Sequence, residues 1–196
     1  MDKNKEVVVS LLKDKGYSDA AVAGIMGNID VETNGTFDYK QKQKKGSGYG
    51  LFQFDFLKDH YNKWLKDNKL KDSPESQVDF FHDTVFGDSK DIIGKTTARK
   101  VQAALQQTNP QQIATDLSDM WLKPGKPHIE RRQRAAENAY KNITTAAPKQ
   151  ESLDALINQE YNNTVFPVKE TYRQEGFQLA NPLLYPGYEP WKRQKL

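Results

Sequence analysis

Two short segments carry side chains that could do chemistry together. The first is Gly27-Asn28-Ile29-Asp30-Val31-Glu32-Thr33. Glu32 continues the stripe Ile25–Ile29–Glu32 at i, i+4 and i+7, so its carboxyl belongs to an otherwise apolar helix face. Partial desolvation there raises a carboxyl pKa, and the negative end of the helix macrodipole acts in the same sense. A carboxyl kept protonated near neutral pH is what a general acid needs to protonate a glycosidic oxygen. From position alone, an exposed glutamate in an ordinary last helical turn is the simpler reading.

The second segment, Gly48-Tyr49-Gly50-Leu51-Phe52-Gln53-Phe54-Asp55, shifts that balance. Gly48 and Gly50 allow a ligand close to the backbone. Gln53 is an amide among apolar residues and can both donate to and accept from a sugar. Asp55 is a second carboxylate, able to orient a water as the general base of an inverting glycosidase, or else to cap the next helix. Tyr49, Phe52, Trp64 and Trp121 could stack on sugar rings or fill the core. Lys40-Gln41-Lys42-Gln43-Lys44-Lys45 reads as a solvated hairpin tip, or as a basic rim that attracts an anionic polymer.

These residues need helices to hold them. Val7, Val8, Leu11 and Leu12 predict a helix over Lys3 to Lys15, ended by Gly16 in a left-handed C-cap. Ser18 predicts the N-cap of a second helix, about Asp19 to Glu32. Ala20 to Ile29 is small or apolar on all sides, which predicts a buried helix, and Gly24 and Gly27 predict close approach by other elements. The polar, glycine-rich stretch from Thr33 to Phe54 predicts a loop or short β-hairpin region. Further helices are predicted at Phe56–Leu65, from Pro74 behind a Ser73 cap, at Thr97–Gln107, at Pro110–Trp121 behind Asn109, and at Pro127–Asn142. The last is expected to put Arg131, Arg132 and Arg134 on its wet side and Ala135, Ala136, Ala139 and Tyr140 toward the core.

The apolar residues, 36% of the chain, are concentrated before residue 145. The expectation is a catalytic domain over 1–146 and an extended C-terminal arm over 147–196, ending NPLLYPGYEPWKRQKL. With no cysteine there is no disulfide or thiolate metal site, and the three histidines lack metal-ligand spacing. A net charge of +3 does not argue for nucleic acid, and no phosphate loop or dinucleotide fingerprint occurs. MDKNKEVVV is not expected to be a signal peptide, and no stretch approaches a membrane span. Synthesis in a cytoplasm is therefore expected, with any external destination reached by another route.

The order of motifs resembles the lysozyme-like superfamily, which includes goose-type lysozymes and soluble lytic transglycosylases, and most closely the phage tail lysozyme family. The resemblance rests on GNIDVET, on GYGLFQFD, and on Met120-Trp121-Leu122-Lys123-Pro124-Gly125 followed by Arg131 to Ala139, over roughly residues 5–142. It implies a mainly α, lysozyme-like domain with a small β-hairpin region, no cofactor and no metal. It implies Glu32 as catalytic acid and Gln53 as a cleft residue, with Tyr49, Phe52 and the Gly48–Gly50 backbone also on the glycan. Goose-type enzymes carry an acidic residue after the Gln-hydrophobic pair, the place of Asp55, and another between the motifs, where Asp38 is the candidate; the general base stays open between them. Thr33 stands where the family usually has serine. The implied activity is muramidase cleavage of peptidoglycan by a phage virion, helping a tail cross the host wall. A lytic transglycosylase and an inactive structural tail component are the alternatives. The arm is expected to dock on other tail proteins.

Overall fold

The computed structural model describes residues 3–44 and 46–146; the expected arm over 147–196 lies outside the described residues. Among the described residues eight α-helices run in order: α1 Lys3–Asp14, α2 Asp19–Glu32, α3 Lys58–Asp67, α4 Pro74–Val85, α5 Lys90–Ile93, α6 Lys95–Leu105, α7 Pro110–Leu117 and α8 Ile129–Ala146. A π-helical turn, Ser118–Leu122, extends α7. None of these helices is long and apolar enough to cross a membrane.

The helix boundaries follow from local chemistry. Gly16 takes φ +81 after α1, and its N–H reaches the Lys13 carbonyl at 2.8 Å, the left-handed cap its type predicts. The Ser18, Ser73 and Asn109 side chains accept from the first-turn amides of α2, α4 and α7, and Pro74 and Pro110 begin their helices. The α7 pattern stops short of Trp121, because the chain widens into the π turn there and Lys123 turns left-handed at φ 49.

Helix α2 is the centre of the domain. It is buried from Ala20 to Ile29, and α7 and α8 pack directly on it. Its glycines make that possible. A Cβ on Gly24 would stand 2.5 Å from Ile113 of α7, and one on Gly27 would stand 2.6 Å from the Arg132 carbonyl of α8. On the other side of the core, Phe52, Phe81 and Trp121 form one aromatic group with ring centroids 5.0–5.4 Å apart. The Trp121 indole N–H donates to Thr84 at 3.1 Å, so Trp121 belongs to the core.

The expected hairpin region contains no strand among the described residues. It is one antiparallel bridge, Lys42 with Tyr49, flanked by Gln43 N–H to Gly48 O at 2.9 Å and Gly50 N–H to Gln41 O at 2.8 Å.

Gly27→Ala should destabilise the domain by about 1–3 kcal/mol, the usual cost of overpacking, despite alanine's better helix propensity. Urea unfolding checks it: an unchanged or higher midpoint would show that α8 can retreat without loss.

Candidate active site

Glu32 is the last residue of α2, and the sequence after it stops the helix firmly. Thr33 is fully buried; its hydroxyl donates to the Ile29 carbonyl at 2.7 Å and accepts from the Phe37 N–H at 3.1 Å. Gly35 N–H returns to the Asp30 carbonyl at 2.7 Å. The chain therefore doubles back, and Gln41 donates its amide to the Glu32 carbonyl at 3.3 Å.

The Glu32 side chain is 15% exposed, and its Oε1 accepts from Arg132 Nη2 at 2.8 Å. Arg132 is 1% exposed. Its Nη1 donates to Asn28 Oδ1 at 2.9 Å and its Nε to the Pro127 carbonyl at 2.6 Å. Asn28 donates in turn to Gly24 O and Ala114 O. This corrects the expectation of a wet Arg132. Arg131 and Arg134 are exposed, but Arg132 lies where α8 crosses Gly27 and so points between the helices. The Arg132 guanidinium beside the Glu32 carboxyl was not anticipated from sequence.

The Glu32–Arg132 pair lines an open cleft of about 560 Å³. One wall is Val31, Glu32, His128 and Arg132, from α2, α8 and the residue that precedes α8. The second is Gln43, Phe52, Gln53, Asp55 and Phe56. The third is the segment 122–126. Glu32, Gln53, Asp55 and Phe52, four residues anticipated from sequence, thus share one cleft. Gln53 is held in a left-handed conformation, φ 46, and its amide donates to Gly50 O at 2.9 Å and Gln41 O at 3.3 Å. A non-glycine residue in that region is strained, which marks a position fixed by its surroundings. Asp55 is exposed and accepts from the Ser47 hydroxyl. Phe52 is 3% exposed and presents little of its ring, whereas Phe56 is 54% exposed.

The other anticipated residues lie elsewhere. Tyr49 faces the far side of the bridge region, where its hydroxyl donates to Asp72 at 2.5 Å. Burial, with that Asp72 contact, pushes the Tyr49 phenol up. Gly50 is close to protein: a Cβ there would meet the Gln77 amide at 2.3 Å. Gly48 packs on the Gln53 and Gln43 side chains and so shapes the second wall from behind. Asp38 is exposed, accepts from Lys40 N–H at 2.9 Å, and does not line the cleft. Arg132, Phe56, Lys123, Lys126 and His128 are cleft residues that the sequence did not place in a site, while Gln43, from the 40–45 segment read as a rim or a solvated tip, also lines the cleft.

A smaller hollow of about 300 Å³ lies between α1, α2 and α8. Its one carboxylate, Asp30, is paired with Lys5 at 3.6 Å, and it holds none of Glu32, Gln53 and Asp55. The cleft beside Glu32 is therefore the candidate site.

The profile of a family described as phage tail lysozyme matches residues 3–143. No curated protein matches the chain. The match spans most of the 196 residues, and the chain belongs to the phage tail lysozyme family. That membership gives it a peptidoglycan-lytic role connected with a phage.

Arg132→Met keeps the volume and removes three hydrogen bonds. It should cost about 1–3 kcal/mol of unfolding free energy, the penalty for leaving buried polar partners unmet. If the midpoint of chemical unfolding stays where it is in wild type, the guanidinium is not what joins α8 to α2.

Proposed function

We propose that this family member is a muramidase, hydrolysing the β-1,4 bond between N-acetylmuramic acid and N-acetylglucosamine. The observation that supports it is the Glu32 carboxyl, fixed by a buried guanidinium at the wall of a cleft that Gln53 and Asp55 also line. Glu32 in its protonated form gives its proton to the glycosidic oxygen as the bond to the anomeric carbon breaks. Arg132 bonds Oε1, which leaves Oε2 to carry that proton, and it stabilises the carboxylate that remains. Asp55 takes a proton from a water whose oxygen attacks the anomeric carbon. The Gln53 amide oxygen, its N–H groups being spent on Gly50 and Gln41, and the exposed Phe56 ring hold the sugars. Asp55 is preferred to Asp38 as base because Asp55 lines the cleft.

A lytic transglycosylase needs one carboxyl only, with the substrate's own hydroxyl as nucleophile. Asp55 in the same cleft as Glu32 favours hydrolysis. We assign the wall-cutting part to residues 1–146 and attachment to other virion proteins to 147–196. A chain ending at 146 should clear wall suspensions and fail to join particles; normal incorporation would defeat the assignment.

Glu32→Gln should reduce wall hydrolysis by about 10²–10⁴-fold, the usual contribution of a positioned general acid, and Asp55→Asn by less. Mass analysis of the released muropeptides should show water added, not a 1,6-anhydro end. Clearing of the suspension at the wild-type rate by the Glu32→Gln protein would remove Glu32 from the mechanism.

A further inference from the structure

The third wall of the cleft is basic. Leu122-Lys123-Pro124-Gly125-Lys126 contains two lysines and no carboxylate, and Pro127 follows it. Lys123 and Lys126 both line the cleft, and neither ammonium group pairs with a carboxylate among the described residues. The segment is fixed at both ends. Lys123 N–H bonds the Ser118 carbonyl at 2.8 Å, closing the π turn. The Pro127 carbonyl accepts from Arg132 Nε at 2.6 Å, so this wall hangs on the guanidinium that also holds Glu32. Pro124 and Pro127 restrict φ between those anchors.

An uncharged glycan gives such a wall nothing to bind. The strand taken as substrate is not uncharged: each muramic residue can carry a peptide stem with free carboxylates. Anionic secondary polymers of the wall are a second source of charge, but a stem can recur at every muramic residue and so beside each scissile bond. A lysine ammonium is a compact charge on a flexible stem, suited to a carboxylate whose position varies along the wall.

We propose that Lys123 and Lys126 bind carboxylates of the peptide stem beside the scissile bond, so that the cleft takes peptide-bearing glycan in preference to glycan whose carboxylates are masked. The proposal rests on the cleft being the glycan site. The lysines are specificity determinants: they touch the substrate's appendage and leave the reacting atoms to Glu32 and Asp55.

The test uses the full-length Glu32→Gln protein, which binds without cutting, and wall stripped of secondary polymers. Its affinity is measured by co-sedimentation with that wall as it stands, and with the same wall after its carboxylates are capped as methylamides. Capping should weaken binding roughly tenfold, as two partly exposed ion pairs would. Adding Lys123→Ala and Lys126→Ala should weaken binding to uncapped wall by the same factor and make the protein indifferent to capping. With Glu32 intact, the two lysine changes should raise KM by more than they lower kcat. Equal affinity for both walls, or a triple variant that still responds to capping, would overturn the lysine assignment alone. No binding to either wall would bring down the glycan cleft itself. Extraction of secondary polymers should leave affinity unchanged; loss of affinity at that step would identify those polymers as the anion and refute the stem.

Discussion

The Arg132 guanidinium lies 1% exposed between α2 and α8 and makes three hydrogen bonds, to Glu32, Asn28 and the Pro127 carbonyl. A charge at that depth is tolerable only when its donors are met. Meeting them dictates much of the local structure. The α8 backbone must come close to α2, which Gly27 permits. Asn28 must present its oxygen to Arg132, which it does while its amide nitrogen ties α2 to the Ala114 carbonyl of α7. One polar network thus joins α2, α7, α8 and the loop before α8. Each of the three guanidinium nitrogens has a partner, and a polar network of this kind favours a single arrangement over near alternatives.

Two cleft walls follow from that network. Glu32 is held on one side and the 122–126 segment, anchored through the Pro127 carbonyl, is drawn in on another. The remaining wall has little regular structure, and amide side chains take the place of a sheet ladder. Gln41 bonds the end of α2, Gln53 bonds Gln41, and Gln77 accepts from Leu51 N–H while donating to the Tyr39 carbonyl. Buried backbone groups must find partners, and where strands are absent the glutamines supply them. The left-handed Gln53 is the outcome: a strained residue held in place at the mouth of the cleft.

Much of this was legible in sequence because it is local. The Ser18, Ser73 and Asn109 caps, the all-apolar α2, its two glycines and Gly16 each state a rule that neighbouring residues suffice to apply. Glu32 was legible as the polar end of an apolar stripe. Arg132 was not. Arg131, Arg132 and Arg134 look alike on a helix, and the group that buries Arg132 sits 100 residues away. Tyr49 was misplaced for the same kind of reason, since its partner Asp72 arrives from a later loop. Gly50 does mark a close approach, but to Gln77, and no pattern within its own segment names that neighbour. The lysines of the third wall carry no periodicity at all; only the position of the loop gives them meaning.

The account stands or falls on what enters the cleft beside Glu32. The most direct measurement is a crystal structure of the Glu32→Gln protein with a peptidoglycan fragment long enough to span the scissile bond. The glycan should lie between the Gln53 segment and residues 122–128, with its bridging oxygen at hydrogen-bond distance, about 3 Å, from the residue 32 amide. A fragment seated in the hollow between α1, α2 and α8, or in the cleft but with that oxygen remote from residue 32, would contradict it.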